Sequence, residues 1–164
     1  MTVPLILRAL VAVLALPAMV AAVVPWLIRE GEAARRGSAV GWVLVGAGLL
    51  LLAICVGTFY HRGRGTLAPW DPPRSLVAAG PYRLTRNPMY LGVLTHLVGW
   101  AVVTGSRRLG WYAGFVALAF HLRVVLAEEP WLARSFPAAW VAYSARVPRW
   151  LLPRRPGTQS GATP

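Results

Sequence analysis

At 164 residues the chain has the length of one domain, and 57% of it is hydrophobic while only 13% is charged, about half the charged share of a typical soluble protein. That balance argues against a soluble enzyme and for a membrane protein. All 17 basic residues are arginine and the net charge is +12, but the arginines flank apolar runs instead of forming a basic stripe, so no nucleic-acid partner is expected.

The first apolar segment spans residues 4–28 and is interrupted by Arg8, Pro17 and Pro25. It is too long for a signal peptide, and Pro25-Trp26-Leu27-Ile28 offers no small-residue cleavage site. It reads as a retained span, with a kink expected at Pro17. The second, residues 39–60, carries no charge. Its Gly41, Gly46, Gly48 and Gly57 point to close helix packing, and its lone Cys55 has no partner for an intrachain disulfide. The third and fourth, residues 88–104 and 109–127, are joined by Gly105-Ser106-Arg107-Arg108, which is short enough to force an antiparallel hairpin. Each segment is near the roughly 20 residues that cross a hydrocarbon core. His96 and His121 lie within the last two spans and are functional candidates on that ground. The plainer reading, a neutral imidazole bonded to a neighbouring helix, is the better one for both. With His61, the histidines lack zinc spacing, and no metal site is expected.

Four spans leave the N-terminus, the 60–87 loop and the C-terminal tail on one side. Counting near-end Arg8 and Arg123 there, that side holds 12 arginines against five on the other (Arg29, Arg35, Arg36, Arg107 and Arg108). The positive-inside rule then makes both termini cytoplasmic. Beyond Glu129, the residues Trp131, Leu132, Phe136, Trp140 and Tyr143 recur at mostly helical spacing, as in an amphipathic helix lying on the cytoplasmic face. Pro130 suits a first turn, Pro137 should bend or divide the helix, and residues 153–164 read as a disordered tail. The expected fold is an all-α integral membrane protein in a single domain, residues 1–152.

Two polar clusters fall at the cytoplasmic end of the hairpin. One is Arg86-Asn87-Pro88-Met89-Tyr90-Leu91-Gly92. Pro88 fits the first turn of span three and Asn87 its N-cap. Beside Arg86, that helix N-terminus favours an anion. The other is Glu128-Glu129, two of only five acidic residues, placed where the helix dipole opposes negative charge. Such a pair calls for a cationic partner, either Arg86, Arg123, Arg149 or a ligand, and Arg123 is close enough in sequence to neutralise one of them.

These clusters, followed by Phe136, Tyr143 and Val147-Pro148-Arg149, resemble in order and spacing the isoprenylcysteine carboxyl methyltransferase family, which belongs to a wider group with phospholipid N-methyltransferases. The match covers roughly residues 74–149. The resemblance implies S-adenosylmethionine bound at the cytoplasmic membrane face, with contacts at Arg74, Ser75, Leu76, Val77, Tyr82, Asn87, Pro88, Met89, Tyr90 and Glu128, and with Tyr143 and Arg149 in a C-terminal cap. Two positions depart from the family: Asn87 stands where His is frequent, which excludes proton transfer there, and Pro137 stands where Gly is usual. The large N-terminal portion of eukaryotic members is absent, so nothing in the sequence indicates a prenylated-protein substrate.

The residues fit that chemistry on their own terms. Glu128 can pair with the cofactor's amine, while Arg86 and the span-three N-terminus can hold its carboxylate. Tyr82 and Tyr90 can face the adenine or sulfonium. Methyl transfer needs in-line positioning more than acid–base groups. Glu129 is the first candidate proton acceptor for an amine or thiol substrate, and Glu129 and Arg149 are the candidate catalytic residues. The expected acceptor is a lipophilic or lipid-anchored molecule entering from the bilayer. Two other readings compete with this one: an NADPH-dependent membrane reductase, and a non-catalytic protein that recruits partners or anionic lipid.

Overall fold

The structure is a computed structural model and describes residues 14–28, 38–63 and 75–150. Arg74, the first ten residues of span one and the 153–164 tail lie outside them. Among the described residues every regular element is helical. A π-helical stretch, Leu14–Val23, runs into a short helix α1, Val24–Ile28. Helix α2 is Ala39–Gly63, α3 is Pro88–Thr104 and α4 is Arg107–Arg123. A π-turn, Val124–Glu128, leads into α5, Glu129–Ser135, and α6 is Pro137–Arg146.

Two of these stretches, Ala39–Phe59 and Arg107–Ser135, are long and apolar enough to cross a membrane, at 21 and 29 residues. Pro88–Thr104 is a shorter apolar helix of 17 residues, at the lower end of the spanning range.

The hairpin turn is tight for readable reasons. Gly105 ends α3 in the left-handed conformation, φ 66°, and its N–H donates to Ala101 O, as a C-terminal glycine does. Ser106 Oγ then accepts from Leu109 N at 3.2 Å and caps α4. Val93 and Leu97 of α3 pack on Ala113 and Val116 of α4 to form the central core.

Helices α2 and α3 approach until their backbones touch. A Cβ on Gly48 would lie 2.6 Å from Gly92 O and 2.6 Å from His96 N, and one on Gly99 would lie 2.6 Å from Val45 N. Gly41 fits against Val103 in the same way, whereas Gly46 and Gly57 face open space. Half of the expected glycine set therefore makes the contact, and α3 supplies the complementary Gly92 and Gly99. Small residues at the contact let the two backbones pack this closely, as in helix pairs of membrane proteins.

Pro25 explains the unusual N-terminal packing. Lacking an N–H, it leaves one carbonyl of the preceding turn, Ala21 in α register or Val20 in π register, without its intrahelical donor. Tyr112 of α4 donates to Val20 O at 3.1 Å. His96 Nε2 lies 3.1 Å from Ala21 O. Trp100 Nε1 is also 3.1 Å from that nitrogen, but one ring nitrogen cannot accept and donate at once. A carbonyl can only accept and an indole N–H can only donate, so in either tautomer Nε2 serves one of these two partners and not both. Helix α4 thus satisfies the Val20 carbonyl, and His96 lies between the Ala21 carbonyl and the Trp100 indole.

Two sequence expectations need correction. The helix that holds the fourth apolar segment does not stop near Ala127 but continues through the glutamates to Ser135. The π-turn, closed by Glu129 N–H on Val124 O, provides a wider turn just ahead of Pro130, where a regular α-helix would clash with the ring. The C-terminal amphipathic segment is divided at Pro137 into α5 and α6 as expected, but of its aromatic residues Trp140 and Tyr143 turn inward while Trp131 stays exposed. Trp140, Tyr143 and Val147 are buried against Leu76, Leu132 and Ala133, covering the polar loop before α3 instead of lipid.

Candidate functional site

The loop before α3 is held by the end of the chain's described part. A turn of 3-10 helix, Gly80–Arg83, follows Gly80 at φ 55°. Tyr82 within it is buried with Cys55 and Val77, and Met89 packs on the same cluster. Tyr143 OH of α6 donates to Tyr82 O at 2.7 Å. Burial pushes the Tyr143 phenol up to about 12, against a smaller lowering by Arg86, so this donor keeps its proton at neutral pH. Burial likewise raises the phenol of Tyr82.

Arg149 is gripped at both its backbone and its side chain. Its carbonyl accepts from Thr85 Oγ1 and from Asn87 Nδ2, each at 3.0 Å, and Arg86 N donates to Pro148 O at 2.9 Å. Its guanidinium forms a two-pronged pair with Glu129, Nε to Oε1 at 2.8 Å and Nη2 to Oε2 at 2.6 Å. Hydrogen bonding to Glu129 is the main cause that raises its already high basicity. Arg86 completes the tie, with Nη1 2.9 Å from Glu129 Oε1 and its guanidinium 5.3 Å over the Trp140 ring.

Both oxygens of Glu129 are thus engaged by guanidinium groups. A substrate proton would have to displace one of them to reach the carboxylate. The expected proton acceptor is therefore the knot of an ion-paired tie, because α5 continues from α4 and carries Glu129 inward between two arginines. Asn87 also differs from expectation. It occupies the N-cap position of α3, but its side chain makes no cap bond and reaches to Arg149 instead. Pro88 does begin α3 and is fully buried.

The second cluster lies one residue earlier on the same turn. Glu128 Oε1 accepts from Tyr90 OH and, at 2.8 Å, from Arg123 Nε, which is also 3.1 Å from the Tyr90 hydroxyl. The Tyr90 ring packs on Phe120 with centroids 4.3 Å apart. Among the described residues Glu128 Oε2 has no hydrogen-bond partner. The π-turn separates the two glutamates' tasks: one faces the tie, the other faces Tyr90 and Arg123.

Of the predicted cofactor contacts, Tyr90 and Glu128 meet directly, Arg86 and Asn87 join Glu129 and Arg149, and Val77, Tyr82 and Met89 share one apolar cluster. Leu76 packs beneath α6. Ser75 stands apart, exposed, its hydroxyl donating to Arg62 O at 3.2 Å. His121 accepts from Trp150 Nε1 at 3.3 Å and is exposed. Sequence reasoning missed Thr85, which is 3% exposed and whose hydroxyl joins Asn87 N to the Arg149 carbonyl. Its only signal is its place two residues before Asn87. Among the described residues no group of three His, Cys, Asp or Glu side chains could hold a metal ion.

A helical membrane-type hairpin whose polar loop, paired glutamates and C-terminal arginine converge at one end defines the class. The profile of the phospholipid methyltransferase family matches residues 38–139, and the chain belongs to that family, part of the isoprenylcysteine methyltransferase-like group. Among curated proteins it is 37% identical over 76 residues to the nickel-cobalt-cadmium resistance protein NccN of Alcaligenes xylosoxydans xylosoxydans, covering 44% of this chain and 34% of that one. It is 35% identical over 77 residues to the cobalt-zinc-cadmium resistance protein CzcN of Cupriavidus metallidurans, covering 45% and 34%. The match thus spans about a third of the length of these relatives. No solved structure matches the chain.

Proposed function

We propose that the chain is an integral membrane methyltransferase that uses S-adenosylmethionine to methylate a lipophilic small molecule or lipid-anchored acceptor, most simply on a carboxylate, at the cytoplasmic face. The observation that carries this reading is the pairing of an open carboxylate oxygen, Glu128 Oε2, with an uncapped helix start at α3. These match the two charged ends of the cofactor's amino-acid part: an ammonium fits the carboxylate, and a carboxylate fits the first-turn N–H groups, with the Arg86 charge held nearby by the tie.

When bound, the cofactor supplies an electrophilic methyl group on a sulfonium. A carboxylate oxygen takes that group by direct displacement as the carbon–sulfur electron pair leaves on sulfur, with no proton to move. Glu128 and Tyr90 bind and orient, with Arg74, Ser75, Leu76, Val77, Tyr82, Asn87, Pro88 and Met89 as further proposed contacts. Arg86, Glu129 and Arg149 fix the loop and the 147–150 segment in place, which makes Glu129 and Arg149 positioning residues. A carboxylate acceptor suits this site because no uncommitted base is needed.

The test is transfer of radiolabel from S-adenosylmethionine by the purified protein to acceptors of one head group and rising chain length. Burial contributes about 0.8 kcal/mol per methylene, so rates at low acceptor concentration should rise steeply with length. A flat profile, or a maximum for the water-soluble member, would overturn entry from the bilayer.

The reading includes four spans with both termini in the cytoplasm. Activity reporters fused at residues 33 and 160 should then report opposite sides of the membrane. Matching sides would end the four-span arrangement.

A further inference from the structure

Arg123 has a task in neither the tie nor the cofactor contacts, yet it lies against the carboxylate that the proposed function assigns to the cofactor's ammonium. Of its guanidinium nitrogens only Nε is hydrogen-bonded among the described residues, to Glu128 Oε1 and Tyr90 OH. Its side chain is 53% exposed and stands at the last residue of α4, one turn before the glutamates. The other two guanidinium groups nearby are held. Arg149 makes two bonds to Glu129, and Arg86, 9% exposed, pairs with Glu129 beneath Trp140.

The charge balance is the decisive point. Three guanidinium groups face two carboxylates in the cluster even before a ligand arrives. S-adenosylmethionine, with a sulfonium, an ammonium and a carboxylate, adds one more net positive charge and claims part of Glu128. One carboxylate cannot neutralise both the ammonium and Arg123. At the edge of a low-dielectric bilayer a cation without its counter-charge demands another anion. Two free nitrogens in a planar fork are shaped for two oxygens of one group.

We propose that Arg123 is the anchor for an oxyanion on the membrane-embedded acceptor, and that cofactor binding at Glu128 loosens Arg123 for this role, so that cofactor binds first and acceptor second. This rests on the methyltransferase reading of the same site. The oxyanion has two sources of shared chemistry: a carboxylate that is itself methylated, or a phosphodiester beside another nucleophile.

The test uses S-adenosylhomocysteine, which keeps the ammonium and cannot turn over, with the full chain in nanodiscs of neutral lipid. Binding of oleate, of dioleoyl phosphatidylglycerol and of oleyl alcohol is measured with and without it, for wild type, Arg123→Met and Arg123→Lys. In wild type the cofactor should tighten binding of one anionic probe roughly tenfold, the size of a charge-assisted hydrogen bond, and leave the alcohol unchanged. The responding arm, oleate or phosphatidylglycerol, identifies the source. Arg123→Met should abolish the tightening, Arg123→Lys should keep part of it, and Arg123→Met alone should bind S-adenosylhomocysteine as well as wild type or up to roughly fivefold tighter, since only an exposed ion pair is lost.

A wild type that binds S-adenosylhomocysteine but shows no coupled anion binding would overturn the anchor while leaving the proposed function standing. So would tightening that persists in Arg123→Met, or cofactor affinity that falls more than about tenfold in that variant. A folded wild type that binds neither S-adenosylhomocysteine nor S-adenosylmethionine would overturn the methyltransferase reading itself.

Discussion

Glu129→Ala should destabilise the protein by about 3 kcal/mol, near the lower end of the cost of breaking a buried ion pair. The loss removes the carboxylate that the two guanidinium groups share. Arg86 is only 9% exposed, so water cannot take over that role for it, while Arg149 at 35% is partly screened. The effect should be local first, because Glu129 joins the loop before α3, the start of α5 and the 147–150 segment. Limited proteolysis should therefore cut after α6 in the variant under conditions that leave wild type intact. Removing the charge from both sides, as in Arg86→Met with Glu129→Leu, should recover much of the stability but not the function. A Glu129→Ala protein within about 0.5 kcal/mol of wild type in thermal unfolding, the usual range for surface changes, would show that the tie holds nothing together.

A single methyl group should have an effect of similar size in the membrane. Gly48→Ala is expected to cost about 2–3 kcal/mol, the upper range for overpacking, because its Cβ would meet backbone atoms of Gly92 and His96 at 2.6 Å. Backbone cannot rotate away as a side chain can, so α2 and α3 would have to separate along their length. His96 would move with them and away from the Ala21 carbonyl. Gly46→Ala, two residues away but facing open space, should be neutral or slightly stabilising, since alanine is the better helix former. Thermal unfolding in one detergent would compare the pair. Equal effects of the two substitutions would contradict the backbone contact.

The parts of this fold that depend on local chemistry were legible in the sequence. Residues 39–60 and 88–104 are apolar and uninterrupted, Pro88 starts α3, Gly105 stops it, and Pro137 divides the C-terminal segment for want of an N–H. What was not legible depends on contacts across long separations. Asn87 has a residue type suited to capping, and only the distant Arg149 carbonyl explains why its side chain turns away. The π-turn at Val124–Glu128 has no local composition that marks it, yet it directs Glu128 and Glu129 to different partners. The position of His96 had an unused clue: Pro25 leaves a carbonyl of the preceding turn without its donor, and a polar group on another helix can face it. Within the site, the sequence named Arg86, Arg123 and Arg149 as possible partners of the glutamates, and all three do pair with them. It could not say that Arg86 and Arg149 would close on Glu129 and leave Glu128 as the carboxylate with an open oxygen.

That division between the two glutamates is the centre of the account, and calorimetric titration with S-adenosylmethionine measures it most directly. Wild type should bind. Glu128→Gln should stay folded and bind roughly 10- to 100-fold more weakly, the loss expected for a charge-assisted hydrogen bond of about 1.5–3 kcal/mol. Unchanged affinity in Glu128→Gln, or no binding to a folded wild type, would contradict the account.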